Sequence, residues 1–254
     1  MTISVVIVDP HFWRAAALFN PNAFPSRSRG DASMCGDRLA ILTHTVEILM
    51  NEPGLNRTRL VDQIRADPAI RDYKPHPDKP TVLIFHNLHF VSGLYSALIA
   101  LKSLLDLYAR LVGRLVVPTA TVFGFGSGQY NGKNVSGGKF LRWLEGSTPE
   151  SFKNREKLIS VLLGHISAWL DQAVTYRDAV VHHGAVRGLR EVMVPLDKEL
   201  AEIVASDILL PTMPDGTTVT SYCEHLIMNI RALLAETLPL LPEIDIANLA
   251  LDQV

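Results

Sequence analysis

Residues 170–184 carry the side chains of this chain that are best suited to proton transfer beside an anion. An arginine, an aspartate and two histidines stand close together there, as Arg177, Asp178, His182 and His183. A guanidinium on an otherwise apolar stripe is costly unless it meets an anion, and histidine is the side chain that most readily exchanges protons near neutral pH. Together these residues could bind a phosphate group and move protons beside it.

The positions of these residues on a helix decide which of them can act together. At about 100° per residue, Arg177 and His182 lie roughly 140° apart on an ideal helix. They reach one phosphate only if the long arginine side chain extends round the helix or the last turn opens before Gly184. Asp178 and His182 are four residues apart and share a face. The sequence therefore predicts His182 as a general acid or base, with Asp178 orienting its imidazole.

A purely structural interpretation of the same residues stays open. The two histidines could cap the last carbonyl groups of the helix, and Arg177 could pair with Asp106 on an earlier helix, because structural ion-pair networks produce the same pattern. Asp106 could equally pair within its own helix, with Lys102 or Arg110.

Length and composition limit the class of protein. The chain has 254 residues, 48% of them hydrophobic and 20% charged, with a net charge of -2. This profile is typical of a globular protein. The small net charge argues against a protein that coats nucleic acid, although a local basic cleft remains possible.

Cys35 and Cys223 lack the spacing of a metal site or a disulfide framework, which favours a reducing cytoplasm. The first residues lack the features of a signal peptide, and the apolar stretch around residues 90–101 is too short and interrupted to span a bilayer.

Hydrophobic periodicity predicts a mainly α protein. Apolar side chains recur every three or four positions in three long segments, residues 90–116, 149–183 and 221–241. Shorter helices are predicted over residues 37–52 and 56–66, and residues 119–138 are predicted as a glycine-rich excursion of short strand and loop. Residues 190–196 and 208–220 alternate like strands, and Pro214-Asp-Gly216 is a turn signal.

These elements predict an antiparallel helical bundle with a small β hairpin inserted before the last helix. Residues 1–80 are predicted to form an N-terminal extension, an arm with accessory helices, which Pro21, Pro25 and a linker over residues 71–80 interrupt. Residues 81–254 are predicted to form the bundle itself.

The run Trp169-Leu, Arg177-Asp178 and His182-His183-Gly184 resembles the signature of the HEPN superfamily (higher eukaryotes and prokaryotes nucleotide-binding). That motif is an arginine, usually followed by a polar residue, and a histidine four to six positions later. The segment Ser103-Leu-Leu-Asp-Leu-Tyr-Ala109 is similar to the preceding helix of such bundles, and the resemblance extends over about residues 85–241. It implies an all-α bundle that often dimerises and places two motifs across a shared cleft.

The resemblance also implies roles for the motif residues, because many HEPN proteins are metal-independent endoribonucleases. Arg177 would bind or polarise the scissile phosphate, Asp178 would occupy the supporting polar position, and His182 would handle protons for attack by the ribose 2′-hydroxyl.

The neighbouring residues His183, Lys133 and Lys139 are expected to contact the substrate. His183 adjoins the motif, and the two lysines stand in the glycine-rich segment, where they could meet RNA phosphates. No metal and no cofactor is expected.

The leading hypothesis is a cytoplasmic, metal-independent endoribonuclease of HEPN type, related to toxin–antitoxin systems or defence. It would act as a homodimer on RNA, with an antitoxin or regulatory protein as partner, and would bind neither DNA nor a membrane. The alternative is a catalytically inactive, HEPN-like dimeric module for binding or interaction, which the modest charge favours. A third hypothesis is a phosphate-processing enzyme that uses the glycine-rich loop Phe123-Gly-Phe-Gly-Ser-Gly128.

Overall fold

The computed structural model describes residues 18–51, 66, 82–85, 88–120, 124–189, 192–195 and 211–249. The expectations for residues 1–17 and for a helix over residues 56–65 lie outside the described residues. Within the described ranges the chain is mainly α, as predicted. Its α-helices are α1 (Arg29–Asn51), α2 (Leu88–Val116), α3 (Gly138–Ser147), α4 (Arg155–His165), α5 (Asp171–His183) and α6 (Val219–Thr237).

The strands form two short antiparallel pairs. Strand β1 (Val82–Phe85) pairs with β4 (Val192–Pro195), and β2 (Gly128–Tyr130) pairs with β3 (Lys133–Val135). Strand β4 lies within the predicted residues 190–196 but pairs with a strand that precedes α2. The predicted turn Pro214-Asp-Gly216 is present just before the last helix: Thr212 and Thr218 form an isolated antiparallel bridge across it, and the N–H of Met213 donates to the carbonyl oxygen of Thr217 at 2.7 Å. Alternating residues indicate a strand but not its partner, which long-range packing decides. The predicted excursion over residues 119–138 does contain short strands, namely β2 and β3.

The second long helix differs from its prediction at its start. Residues 138–147 form a separate helix, α3, and Thr148 is extended, with a ψ of 146°. A residue that precedes proline is driven out of the helical region, so Pro149 ends one helix instead of starting the next. Helix α4 begins at Arg155, and Asn154 just before it donates from its Nδ2 atom to the carbonyl oxygen of Leu240 at 2.9 Å.

Helices α1 and α2 form the centre of the apolar core. Leu49 near the end of α1 packs on Gly93 near the start of α2, so closely that a Cβ at Gly93 would overlap the Leu49 side chain. Asp31 in the first turn of α1 meets Arg114 in the last turn of α2, so the two helices run antiparallel. Helix α1, which the sequence assigned to the N-terminal extension, thus contributes to the same core as α2. The domain boundary near residue 80 stays a prediction.

One buried carboxylate holds the two helices in register. Asp31 is 1% exposed; its Oδ2 lies 2.9 Å from Nη1 of Arg114, and its Oδ1 lies 3.6 Å from Nη2 of Arg110. Neither oxygen accepts a hydrogen bond within the described part of the chain, so the two arginines hold the carboxylate by charge. Position in the first turn also places Asp31 at the positive end of the dipole of α1.

Two helical segments, Phe90–Val116 and Arg155–His183, are long and apolar enough to cross a membrane by length and composition. The apolar stretch over residues 90–101 lies within the first of these segments, and the expectation that the protein does not enter a membrane stays a prediction. In the described fold, 44% and 39% of their most apolar windows are buried inside the protein, and a core helix of a globular protein passes the same test. The expected location in the cytoplasm stays a prediction.

The ion pair at Asp31 predicts an asymmetry between its partners. The double substitution Arg110→Ala and Arg114→Ala leaves a buried, unpaired carboxylate and should lower the free energy of unfolding by about 3–5 kcal/mol. Asp31→Asn should cost less, because both arginines are more than 40% exposed and stay solvated. Urea unfolding followed by circular dichroism measures both, with the exposed Arg38→Ala on α1 as control. Equal losses for the two variants would contradict the charge-based account.

The two cysteines offer a second test of the core. Both thiols are free and buried, and burial raises the pKa of Cys35 far above its usual value and that of Cys223 to about 12. Because the thiolate is the reactive form, neither should react quickly with an aromatic disulfide reagent at pH 8 in the folded protein. Both should react at once in concentrated guanidinium chloride. Rapid reaction of one thiol equivalent in the native protein would show that part of this core is open.

Candidate functional site: a cleft along the last turns of α5

A π turn sets the orientation of the helix that carries the predicted motif. Residues Ile166–Leu170 connect α4 to α5, and the N–H of Asp171 donates to the carbonyl oxygen of Ile166, five residues earlier. The buried stripe leading through it has a constant spacing of four: Leu158, Leu162, Ile166, Leu170.

The wider turn keeps this stripe in the core. On an α-helix, residues four apart drift by about 40° at each step, whereas a π turn winds less per residue. After the turn, Ala173 and Val174 are buried, and the stripe continues towards Arg177. Asp171, at the other side of the helix, faces the hairpin of β2 and β3.

Helix α5 ends as the sequence predicts, but without opening. Gly184 adopts the left-handed conformation with a φ of 73°, and its N–H donates to the carbonyl oxygen of Val180 at 3.0 Å. The helix stays regular through His183. The roughly 140° between Arg177 and His182 is therefore not relaxed by the last turn.

An open cleft of about 640 Å³ runs along the outer face of α5. Three parts of the chain form its walls: the hairpin of β2 and β3 with its flanking residues, α5 itself, and the loop after α5. The lining residues are Ser127, Asn134, Val135, Ser136, Asp171, Val174, Thr175, Tyr176, Asp178, Ala179, His182, His183 and Arg187.

The hairpin is fixed to α5 by one carboxylate. Oδ1 of Asp171 accepts hydrogen bonds from the backbone N–H of Ser136 at 2.9 Å and from its hydroxyl at 2.7 Å. At the same point a Cβ on Gly138 would overlap the carbonyl oxygen of Gly128, so the hairpin lies tightly on the start of α3. These contacts hold the hairpin as a wall of the cleft.

Two of the three motif residues line the cleft. Asp178 and His182 do so, as does the adjacent His183, whereas Arg177 does not. Instead, Nη1 of Arg177 donates to Oδ1 of Asp178 at 2.7 Å, and its buried Nε has no hydrogen-bond partner in the part of the chain that the structure describes. In the described part of the chain Arg177 is therefore linked to the cleft through the carboxylate of Asp178.

The structure decides between the alternatives for Asp106. Its Oδ1 accepts from Nζ of Lys102 at 2.5 Å and from the backbone N–H of Phe125 at 2.7 Å. The intrahelical pair with Lys102 is confirmed, and the pairing of Arg177 with Asp106 is wrong. The second bond also occupies a backbone N–H of the glycine-rich loop that a phosphate-binding loop would direct at its ligand.

The two lysines predicted to contact substrate stand near the cleft without lining it. Lys133 lies on β3 and Lys139 in the first turn of α3, and both are exposed. Asn134, the neighbour of Lys133, lines the cleft in its place. Contact of the two lysines with RNA stays a prediction.

A tyrosine at the side of the cleft is held in its neutral form. Tyr176 packs edge-on against Tyr222, with 5.8 Å between ring centroids. Burial, and then the negative charge of Asp215, raise the pKa of Tyr176. Its phenol oxygen accepts a hydrogen bond from Nε2 of Gln172 at 3.2 Å.

Sequence reasoning missed several cleft residues. Asp171 could have been found, because it stands seven residues before Asp178 and eleven before His182, which is the spacing of one helix face. Arg187 and Asn134 carry no such signal. Arg187 follows the end of the helix, and Asn134 arrives through the docking of a separate hairpin.

Among the residues that the structure describes, no group of three or more histidine, cysteine, aspartate or glutamate side chains could hold a metal ion. No protein-family model, curated protein or solved structure matches the chain.

Proposed function

We propose that the protein is a metal-independent endoribonuclease of HEPN type, built on a helical bundle of that kind. One observation carries the proposal: the cleft at the end of α5 gathers two imidazoles, a carboxylate and a guanidinium, from His182, His183, Asp178 and Arg187. Paired imidazoles can take and return a proton, and a guanidinium matches the geometry of a phosphate. These are the groups that cleavage of RNA by its own 2′-hydroxyl requires.

The proposed reaction is a transesterification. His182 removes the proton of the ribose 2′-hydroxyl, and the O2′ atom attacks the adjacent phosphorus. The bond from phosphorus to O5′ breaks, and His183 gives a proton to the departing O5′. The products are a 2′,3′-cyclic phosphate and a 5′-hydroxyl. Arg187 stabilises the negative charge that develops on the phosphoryl oxygens.

In this proposal Arg177 is a positioning residue. Its guanidinium holds Oδ1 of Asp178, and Asp178 shares the helix face of His182, where it can orient the imidazole. The role on the phosphate that the resemblance implies for Arg177 then passes to Arg187, unless a second protomer brings its own Arg177 to the cleft. The setting in a toxin–antitoxin or defence system, the location in the cytoplasm and the antitoxin or regulatory partner remain parts of the proposal.

The ribonuclease proposal predicts cleavage of a mixed RNA pool in excess chelator. His182→Ala should reduce the rate by about 100-fold or more through loss of the general base, and Arg187→Ala by about 100-fold through loss of charge stabilisation. Arg177→Ala should have a smaller effect, about 10-fold, because it acts through Asp178.

The matched control is His44→Ala, an exposed histidine on α1 that should cleave at the wild-type rate. End-group analysis should find 2′,3′-cyclic phosphates. Cleavage that survives in His182→Ala, or that chelator abolishes, contradicts the proposal.

A second candidate function is a catalytically inactive dimeric binding module. Two observations favour it: Arg177 stands outside the cleft, and Val181, one turn further along α5, is an apolar side chain that is 49% exposed. An exposed valine one turn from an arginine whose Nε lacks a partner among the described residues fits a protein interface, since interfaces combine apolar contacts with arginine.

This second function predicts a homodimer that depends on α5. Val181→Glu should convert the dimer to a monomer, because burial of a charge at an interface costs roughly several kcal/mol. Sedimentation velocity measures the change. Ile246→Glu, at a residue that is 46% exposed on a different element, serves as control and should leave the dimer intact. A monomeric wild-type protein at high concentration would rule out the dimeric module.

A further inference from the structure

The cleft is longer than the catalytic groups alone require. Asp171 and His182 lie at its two ends on one helix face, eleven residues apart, which corresponds to about 16 Å along the axis. The imidazoles and Arg187 belong to one end, and the hairpin of β2 and β3 walls the other. A phosphate at the histidines leaves the hairpin end free for another part of the substrate.

The hairpin end has the chemistry of a site for a flat, uncharged, polar-edged group. Val135 and Val174 supply apolar surface there, and the exposed amide of Asn134 and the hydroxyl of Ser127 stand beside them. The nearby charge of Asp171 is already engaged by the two hydrogen bonds from Ser136. An amide offers both a donor and an acceptor, which matches the edge of a nucleobase.

We propose that the hairpin end of the cleft is a nucleobase subsite in which the Asn134 amide recognises the base next to the scissile phosphate. The proposal rests on the proposed ribonuclease function for the phosphate at the histidine end. It specifies the substrate class as single-stranded RNA, because a base can present its edge to Asn134 only when that edge is free of pairing.

Asp171 is a positioning residue for this subsite. A two-stranded ribbon of three-residue strands is at best marginally stable by itself, so the place of Asn134 depends on what ties the hairpin down. The two hydrogen bonds that the N–H and hydroxyl of Ser136 donate to Asp171 attach the hairpin to α5. Removal of one of these two hydrogen bonds should loosen the hairpin and so reduce base recognition, although the Asn134 amide itself is still present.

The test uses binding, not cleavage. Short fluorescein-labelled 2′-O-methyl oligonucleotides of adenosine, cytidine, guanosine or uridine cannot be cleaved through the 2′-oxygen, and fluorescence anisotropy gives their dissociation constants. The full chain should prefer one base by about 10-fold. Asn134→Ala should abolish this preference while binding of the disfavoured bases stays nearly unchanged.

The matched control lies on the same hairpin. Gln129 pairs directly with Asn134 across the two strands, is exposed, and does not line the cleft, so Gln129→Ala should keep the wild-type preference. Ser136→Ala should reduce the preference partly, with an unchanged melting temperature of the helical core as evidence that the fold is intact.

The outcomes separate this subsite from the nuclease. A wild-type protein that shows no base preference, or that binds none of the four oligonucleotides, overturns the subsite, as does a preference that survives in Asn134→Ala. A preference that depends on Asn134 in a protein without RNA cleavage supports the subsite and removes the nuclease instead. Cleavage that depends on His182, in a protein that shows no base preference, supports the nuclease and overturns the subsite.

Discussion

The wide turn over Ile166–Leu170 is the constraint on which the site depends. A stripe of apolar residues four apart cannot stay on one side of a long α-helix, because each step adds about 40° of rotation. The hydrogen bond from Asp171 to Ile166 spans five residues and absorbs part of that drift. Leu170 thereby remains buried, and α5 leaves the turn with its polar face directed at the hairpin. The chemistry of the cleft follows from how this helix must pack.

The regular winding of α5 separates the two residues that the motif would unite. Arg177 does not line the cleft, while His182 lines it with Asp178. The two side chains leave the helix roughly 140° apart, and Gly184 ends the helix without unwinding it. Asp178 accepts a hydrogen bond from Arg177 and stands four residues before His182 on the same helix face. Arg187, beyond the helix end, is the guanidinium that reaches the cleft directly.

Sequence reasoning reached the features that local periodicity controls. The predicted helices over residues 90–116 and 221–241 agree closely in their bounds with α2 and α6. Asp178 and His182, predicted to share a helix face, both line the cleft. What it missed depends on contacts between distant segments. The partner of β4 precedes α2, Asn134 comes to the cleft on a docked hairpin, and the π turn shows in the sequence only as a run of four-residue spacings. Asp171 was within reach, because it shares the helical spacing of the residues that were chosen.

The position of Arg177 carries an energetic argument about function. Its buried Nε lacks a hydrogen-bond partner in the described part of the chain, and such an unsatisfied donor costs about 1–3 kcal/mol. The neighbouring ion pair with Asp178 is partly exposed, at 28% and 41% for the two side chains, and a pair of that kind returns about 0–1 kcal/mol. Stability alone therefore does not account for an arginine at this place. Positions where a local rule is broken without a compensating gain are the ones expected to serve chemistry or assembly. Among the described residues Arg177 donates to Asp178, and Asp178 lines the cleft.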